Sequence, residues 1–68
     1  MILNITQNGK RQAKDVQGKG IEQSILTSLD EHGPASLQEL SSDIGVEEYK
    51  IREAAAKLAN DGFLRKEE

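Results

Sequence analysis

Ser36-Leu37-Gln38-Glu39-Leu40-Ser41-Ser42-Asp43-Ile44-Gly45-Val46 is the stretch from which the rest of the chain can be phased. Ser36 stands three residues before Glu39. Its hydroxyl can accept from a backbone N–H of the next turn while the Glu39 carboxylate reaches back, a capping box that marks a helix start. Leu37, Leu40 and Ile44 then recur at helical spacing, and Gly45 follows as the residue best able to adopt the left-handed conformation that stops a helix. Gly33-Pro34 just upstream ends whatever helix precedes it. A short helix over 37–44 is therefore bounded on both sides by backbone chemistry.

Working outward towards the N-terminus, Ile21, Ile25 and Leu29 recur every four residues with Leu26 at their flank, which predicts a first helix over 21–29. Towards the C-terminus, Val46 precedes Ile51 at the spacing of a hydrophobic staple and predicts a third helix from about Glu48 to Asn60. At ~100° per residue, Ile51, Ala54, Ala55 and Leu58 face inward on that helix. Tyr49, Glu53, Ala56 and Asn60 run along its outer face, with Lys50, Arg52 and Lys57 on its flanks. After Asp61-Gly62, Phe63-Leu64-Arg65-Lys66 reads as a strand with one face to the core. The class expected is mainly α with a small β-sheet, three helices plus a two- or three-stranded antiparallel sheet, laid out as a helix-turn-helix with a trailing strand.

The chain divides into a basic N-terminal segment, 1–20, and a helical body, 21–68. Ile2-Leu3-Asn4-Ile5-Thr6 is rich in β-branched residues and runs into Asn8-Gly9, the dipeptide that best suits a type I′ hairpin turn. A hairpin with a return arm over Lys10 to Val16 is one reading, and a disordered basic arm is the other. Gly18-Lys19-Gly20 reads as a flexible joint. A lone strand at 63–66 would leave unpaired backbone groups along both edges, so Ile2-Leu3-x-Ile5 is expected to pair with it.

The net charge of −3 hides an asymmetry: residues 1–20 balance to +3 and residues 21–68 to −6. The chain has no cysteine and hence neither a disulfide framework nor a thiolate metal site, which leans towards a reducing cytoplasm. No apolar run approaches the roughly 20 residues that cross a bilayer, so no membrane partner is expected. The lone His32 has no second histidine or cysteine near it, and Asp30-Glu31 and Glu47-Glu48 are adjacent pairs that point to different sides of a helix. Neither a catalytic centre, a metal site nor a cofactor is expected. With 68 residues the stability margin is thin, and a homodimer would help.

The pattern Ile21-x3-Ile25, Ser36-Leu37-x2-Leu40-x3-Ile44-Gly45-Val46, Ile51-x6-Leu58-x3-Gly62-Phe63-Leu64 resembles a winged helix-turn-helix domain of the broad MarR/ArsR/GntR-like kind. That resemblance implies a cytoplasmic transcriptional regulator whose third helix enters the major groove of duplex DNA. Tyr49, Lys50, Arg52 and Lys57 would lie near bases or phosphates, and Lys10, Arg11 and Lys14 would supply backbone contacts. In such folds the strand after the third helix turns through a wing and returns. This sequence reaches Glu68 before any return strand, so either the wing is absent or the N-terminal segment supplies it. Glu47-Glu48 stands where DNA-binding relatives carry a serine, threonine or basic residue, although two carboxylates there suit the helix dipole.

Two narrower resemblances follow. Ile21-Glu22-Gln23-x-Ile25-Leu26 looks like the opening of the Z-form nucleic-acid-binding domains of RNA-editing deaminases. The asparagine and tyrosine of that family fall at Arg52 and Ala56, so its activity is not carried over. Leu58-Ala59-Asn60-Asp61-Gly62 is similar to the acidic winged-helix tail of the middle subunit of eukaryotic replication protein A. This implies an alternative function, a protein-interaction module whose acidic body meets a basic peptide or partner protein.

Overall fold

The computed structural model describes residues 2–15 and 20–67. In chain order they form β1 (Ile2–Ile5), α1 (Gln7–Ala13), α2 (Gly20–His32), β2 (Ala35–Ser36), α3 (Leu37–Ile44), α4 (Glu48–Asn60) and β3 (Leu64–Glu67). The fold is mainly helical with one small antiparallel sheet of order β2-β1-β3. The helices α2, α3 and α4 are the expected three, and α1 is a fourth.

The capping box forms as the sequence implies. Glu39 N donates to Ser36 Oγ at 3.1 Å and Ser36 N donates to Glu39 Oε1 at 3.1 Å. Gly45 sits at φ 84° and its N–H returns to Ser41 O at 2.9 Å. The Ser41 hydroxyl donates to the Val46 carbonyl, so the turn between α3 and α4 is tied from inside α3. Val46, like Ile44 and Leu37, is partly buried against the core. Ser36→Ala should cost about 1 kcal/mol in a urea melt, the usual worth of such a cap. An unchanged midpoint would mean that packing alone holds the start of α3.

The core is a single cluster in which Leu3, Ile25, Leu26, Leu29, Leu40 and Ile51 are fully buried. Ala55, Leu58 and Leu64 complete it, so the inward phase assigned to α4 is the observed one. On α2 the buried stripe is Ile25, Leu26 and Leu29, while Ile21 lies only half-buried at its edge.

The strand pairing expected between the chain's two ends is present. Ile2 lies opposite Glu67, Leu3 opposite Lys66, Asn4 opposite Arg65 and Ile5 opposite Leu64. Leu3 and Ile5 point into the core, whereas Asn4 on the other face donates to Glu67 Oε1 at 3.4 Å.

The hairpin reading of the N-terminal segment is overturned. Asn8-Gly9 is not a turn, and the residues after it do not return as a strand, because 7–13 is helical. Both edges of β1 are already occupied, by β2 on one side and β3 on the other, so a return arm has no place to pair. The Thr6 hydroxyl redirects the chain instead: it accepts from Gly9 N at 3.0 Å as an N-cap and donates to Gly62 O at 2.7 Å. A helix of seven residues is too short to persist alone. Its far end is held by Gln23 of α2, whose Nε2 donates to Gln12 O at 3.2 Å and Ala13 O at 2.9 Å. Val16 of the supposed return arm and the Gly18-Lys19 joint lie outside the described residues.

Candidate nucleic-acid interface

α4 packs against α2, α3 and β3 through its inner face, which leaves the opposite face open along its whole length. Tyr49, Lys50, Arg52, Glu53, Ala56, Lys57 and Asn60 are all exposed. Tyr49 is the one large apolar side chain exposed among the described residues, at 48 %, and Lys50 Nζ stands 6.0 Å from its ring centroid. A single exposed aromatic offers little apolar area for the dimer considered from chain length alone.

The four α4 residues named from sequence do not share one surface. Lys50 and Lys57 are two turns apart on the flank that fronts the first turn of α2, in a shallow cleft lined also by Gly20, Ile21, Glu22 and Glu53. Lys57 Nζ lies 3.9 Å from Glu22 Oε1, with the lysine largely in solvent and the glutamate partly so, a pair worth little to stability. Arg52, two residues beyond Lys50, is about 160° further round the helix, on the other flank.

Lys10, Arg11 and Lys14 are exposed at the end of α1, not at the tip of a hairpin. A second cleft, lined by Gln12, Gln23, Lys57, Asp61 and Phe63, joins the end of α1 to the C-terminal end of α4. At 1.5 Å per residue the step along α4 from Tyr49 to Asp61 is about 18 Å. Lys57 lines both clefts, the one it shares with Lys50 and the one that reaches Gln12 at the end of α1. The basic groups that close α1 also complement its dipole, a local role they fill whatever they bind.

The finer charge pattern is sharper than a division into two halves suggests. Residues 20–48 carry seven Asp and Glu and neither lysine nor arginine, whereas every described lysine and arginine lies on or beside α1, α4 and β3. Arg65 and Lys66, exposed on β3, belong to the basic part and were not among the residues singled out from the sequence. On the acidic side Ser28 Oγ donates to Asp43 Oδ2 at 2.6 Å and fastens α2 to α3. Counting charge by element, not by half-chain, is the signal that exposes this segregation.

Among the described residues no group of three or more His, Cys, Asp or Glu side chains is placed to hold a metal ion, and no helix is long and apolar enough to cross a membrane. Comparison with protein-family models, with curated proteins and with solved structures returned no significant match for this chain.

Proposed function

We propose that this chain is a winged helix-turn-helix protein that binds duplex DNA and acts as a transcriptional regulator in the cytoplasm. The observation that carries the reading is the open outer face of α4 combined with the segregation of charge. Among the described residues, every lysine and arginine lies on or beside α1, α4 and β3. Helix α4 enters the major groove, which at about 12 Å is wide enough to admit it. Arg52 reads a base edge from one flank, Tyr49 and Lys50 meet the groove wall, and Lys57 contacts phosphate. The basic end of α1 reaches the backbone that borders the groove. Those contacts position the protein and carry no sequence information.

A low-salt titration with random-sequence duplex tests this. Wild type should bind, and affinity should fall linearly on a log–log plot as salt rises. Lys10→Glu with Arg11→Glu should weaken binding to every duplex alike and flatten the salt slope by about 2. Arg52→Ala should cost about 1 to 3 kcal/mol at a preferred site and little elsewhere. Absence of duplex affinity in wild type at low salt would remove the reading.

The acidic α2–α3 side favours a second reading, a module that docks a basic peptide or partner protein. Helices α2 and α3 carry five carboxylates, Glu22, Asp30, Glu31, Glu39 and Asp43, and neither lysine nor arginine, which would steer a cationic segment to that side. In that case a lysine-rich peptide, not duplex DNA, would bind wild type, and Glu31→Lys with Asp43→Asn would abolish the binding. The Lys10 and Arg11 reversals would leave it intact.

A further inference from the structure

The sheet is assembled out of chain order. Its central strand, β1, comes first in the sequence, while its neighbours β2 and β3 come after α2 and α4. Thr6 N donates to Phe63 O at 3.0 Å. By the alternation of an antiparallel ladder, Asn4–Arg65 and Ile2–Glu67 are then hydrogen-bonded pairs. Ile2 and Glu67 are therefore directly opposed at one end of the sheet. This is the geometry across which a two-residue hairpin loop closes.

Reading the elements from α2 onward and crossing from Glu67 to Ile2 gives the order helix, strand, helix, helix, strand, strand. That is the order of a helix-turn-helix whose last strand turns through a wing and returns. We infer that the chain is a circular permutation of that architecture: β1 is the return strand of the wing, moved to the N-terminus. The end of the sheet where Ile2 meets Glu67 is the wing position. The inference rests on the winged-helix reading of the fold proposed above, but not on DNA binding.

Two consequences follow for the molecule. The exposed side chains at the wing position are those of Arg65, Lys66 and the half-buried Glu67, with Arg65 Nε 3.4 Å from Glu67 Oε2. The basic helix α1 leaves the sheet at the other end of β1, beyond Ile5, so Lys10, Arg11 and Lys14 do not substitute for a wing. Among the described residues, the cations nearest the wing position are those of β3, Arg65 and Lys66.

The test is to restore the linear order. A permutant running 20–67, then Asn-Gly, then 2–15 retains every described residue and converts the Glu67–Ile2 step into a type I′ turn. A second permutant with a five-residue glycine-containing loop guards against strain in the shorter one. At least one of the two should unfold cooperatively, with cross-strand NMR contacts between Leu3 and Lys66 and between Ile5 and Leu64 intact. Its Tm should lie within about 10 °C of the parent, because the core is unchanged and only one loop has been exchanged for another. Loss of those cross-strand contacts in both permutants would overturn the inference. Binding is read separately: a permutant that folds while parent and permutant alike ignore duplex DNA sustains the permuted fold and counts against the nucleic-acid function.

Discussion

A chain lacking residues 1–5 should no longer unfold cooperatively. Those residues contain β1, the central strand of the sheet, and their removal leaves β2 and β3 with no strand to pair with. Leu3 is 0 % exposed and Ile5 8 %, and burying each such side chain contributes about 1.5 to 3 kcal/mol. The ladder bonds on both edges of the strand go with them, and Thr6, which caps α1, loses the strand that leads into it. Domain stabilities run at roughly 0.05 to 0.15 kcal/mol per residue, so a chain of 68 residues holds only a few kcal/mol in reserve. The loss from two core side chains alone is of that order. A thermal melt of the truncated chain should be broad and shifted well below the parent, and amide exchange at 64–67 should approach that of a free peptide. A sharp transition at the parent's midpoint would show that the helices fold without the sheet.

The parts of this fold that can be read from sequence are those whose cause is local. The start of α3 follows from Ser36 and Glu39, its end from Gly45, and the phase of α4 from Ile51, Ala55 and Leu58, because caps and helical periodicity act over a few residues. Pairing of β1 with β3 could be anticipated although it joins the two ends of the chain. The two segments were the only good strand candidates, and neither could leave its backbone groups unpaired. The two-residue strand β2 carries no signal of its own, since Ala35 and Ser36 pair with β1 only because α3 begins beside it.

For the candidate site, exposure of Tyr49, Lys50, Arg52 and Lys57 on α4 was legible from the same periodicity. The placement of Lys10, Arg11 and Lys14 was not. It depends on Thr6, whose hydroxyl bonds to Gly62, and on Gln23, which holds the end of α1 from another helix. Neither interaction has a signature within the N-terminal segment. Local dipeptide chemistry pointed the other way, and tertiary contact overrode it.

Gly9→Ala should destabilise the protein by about 3 kcal/mol, against the direction that helix propensity alone would give. In an exposed helix the replacement of glycine by alanine gains about 0.5 to 1 kcal/mol. Here Gly9 is buried, and a Cβ at this position would lie 2.1 Å from the Phe63 carbonyl oxygen and 2.6 Å from Ile5 Cγ1. The Ile5 side chain can move aside. The Phe63 carbonyl cannot, because it accepts the Thr6 N–H at 3.0 Å and is fixed between α4 and β3. Relief therefore requires α1 to lift from the sheet end, which strains the Thr6 cap and the Gln23 contacts together, an overpacking cost of about 1 to 3 kcal/mol or somewhat more. Asn8, exposed on the outer side of the same helix, supplies the control. Asn8→Ala should be neutral or slightly stabilising in α1, whereas in a type I′ turn it would cost stability, since alanine resists the positive φ required there. Urea melts of the two variants therefore separate the helix from the hairpin. A damaging Asn8→Ala beside a tolerated Gly9→Ala would contradict the packing of α1 against Phe63.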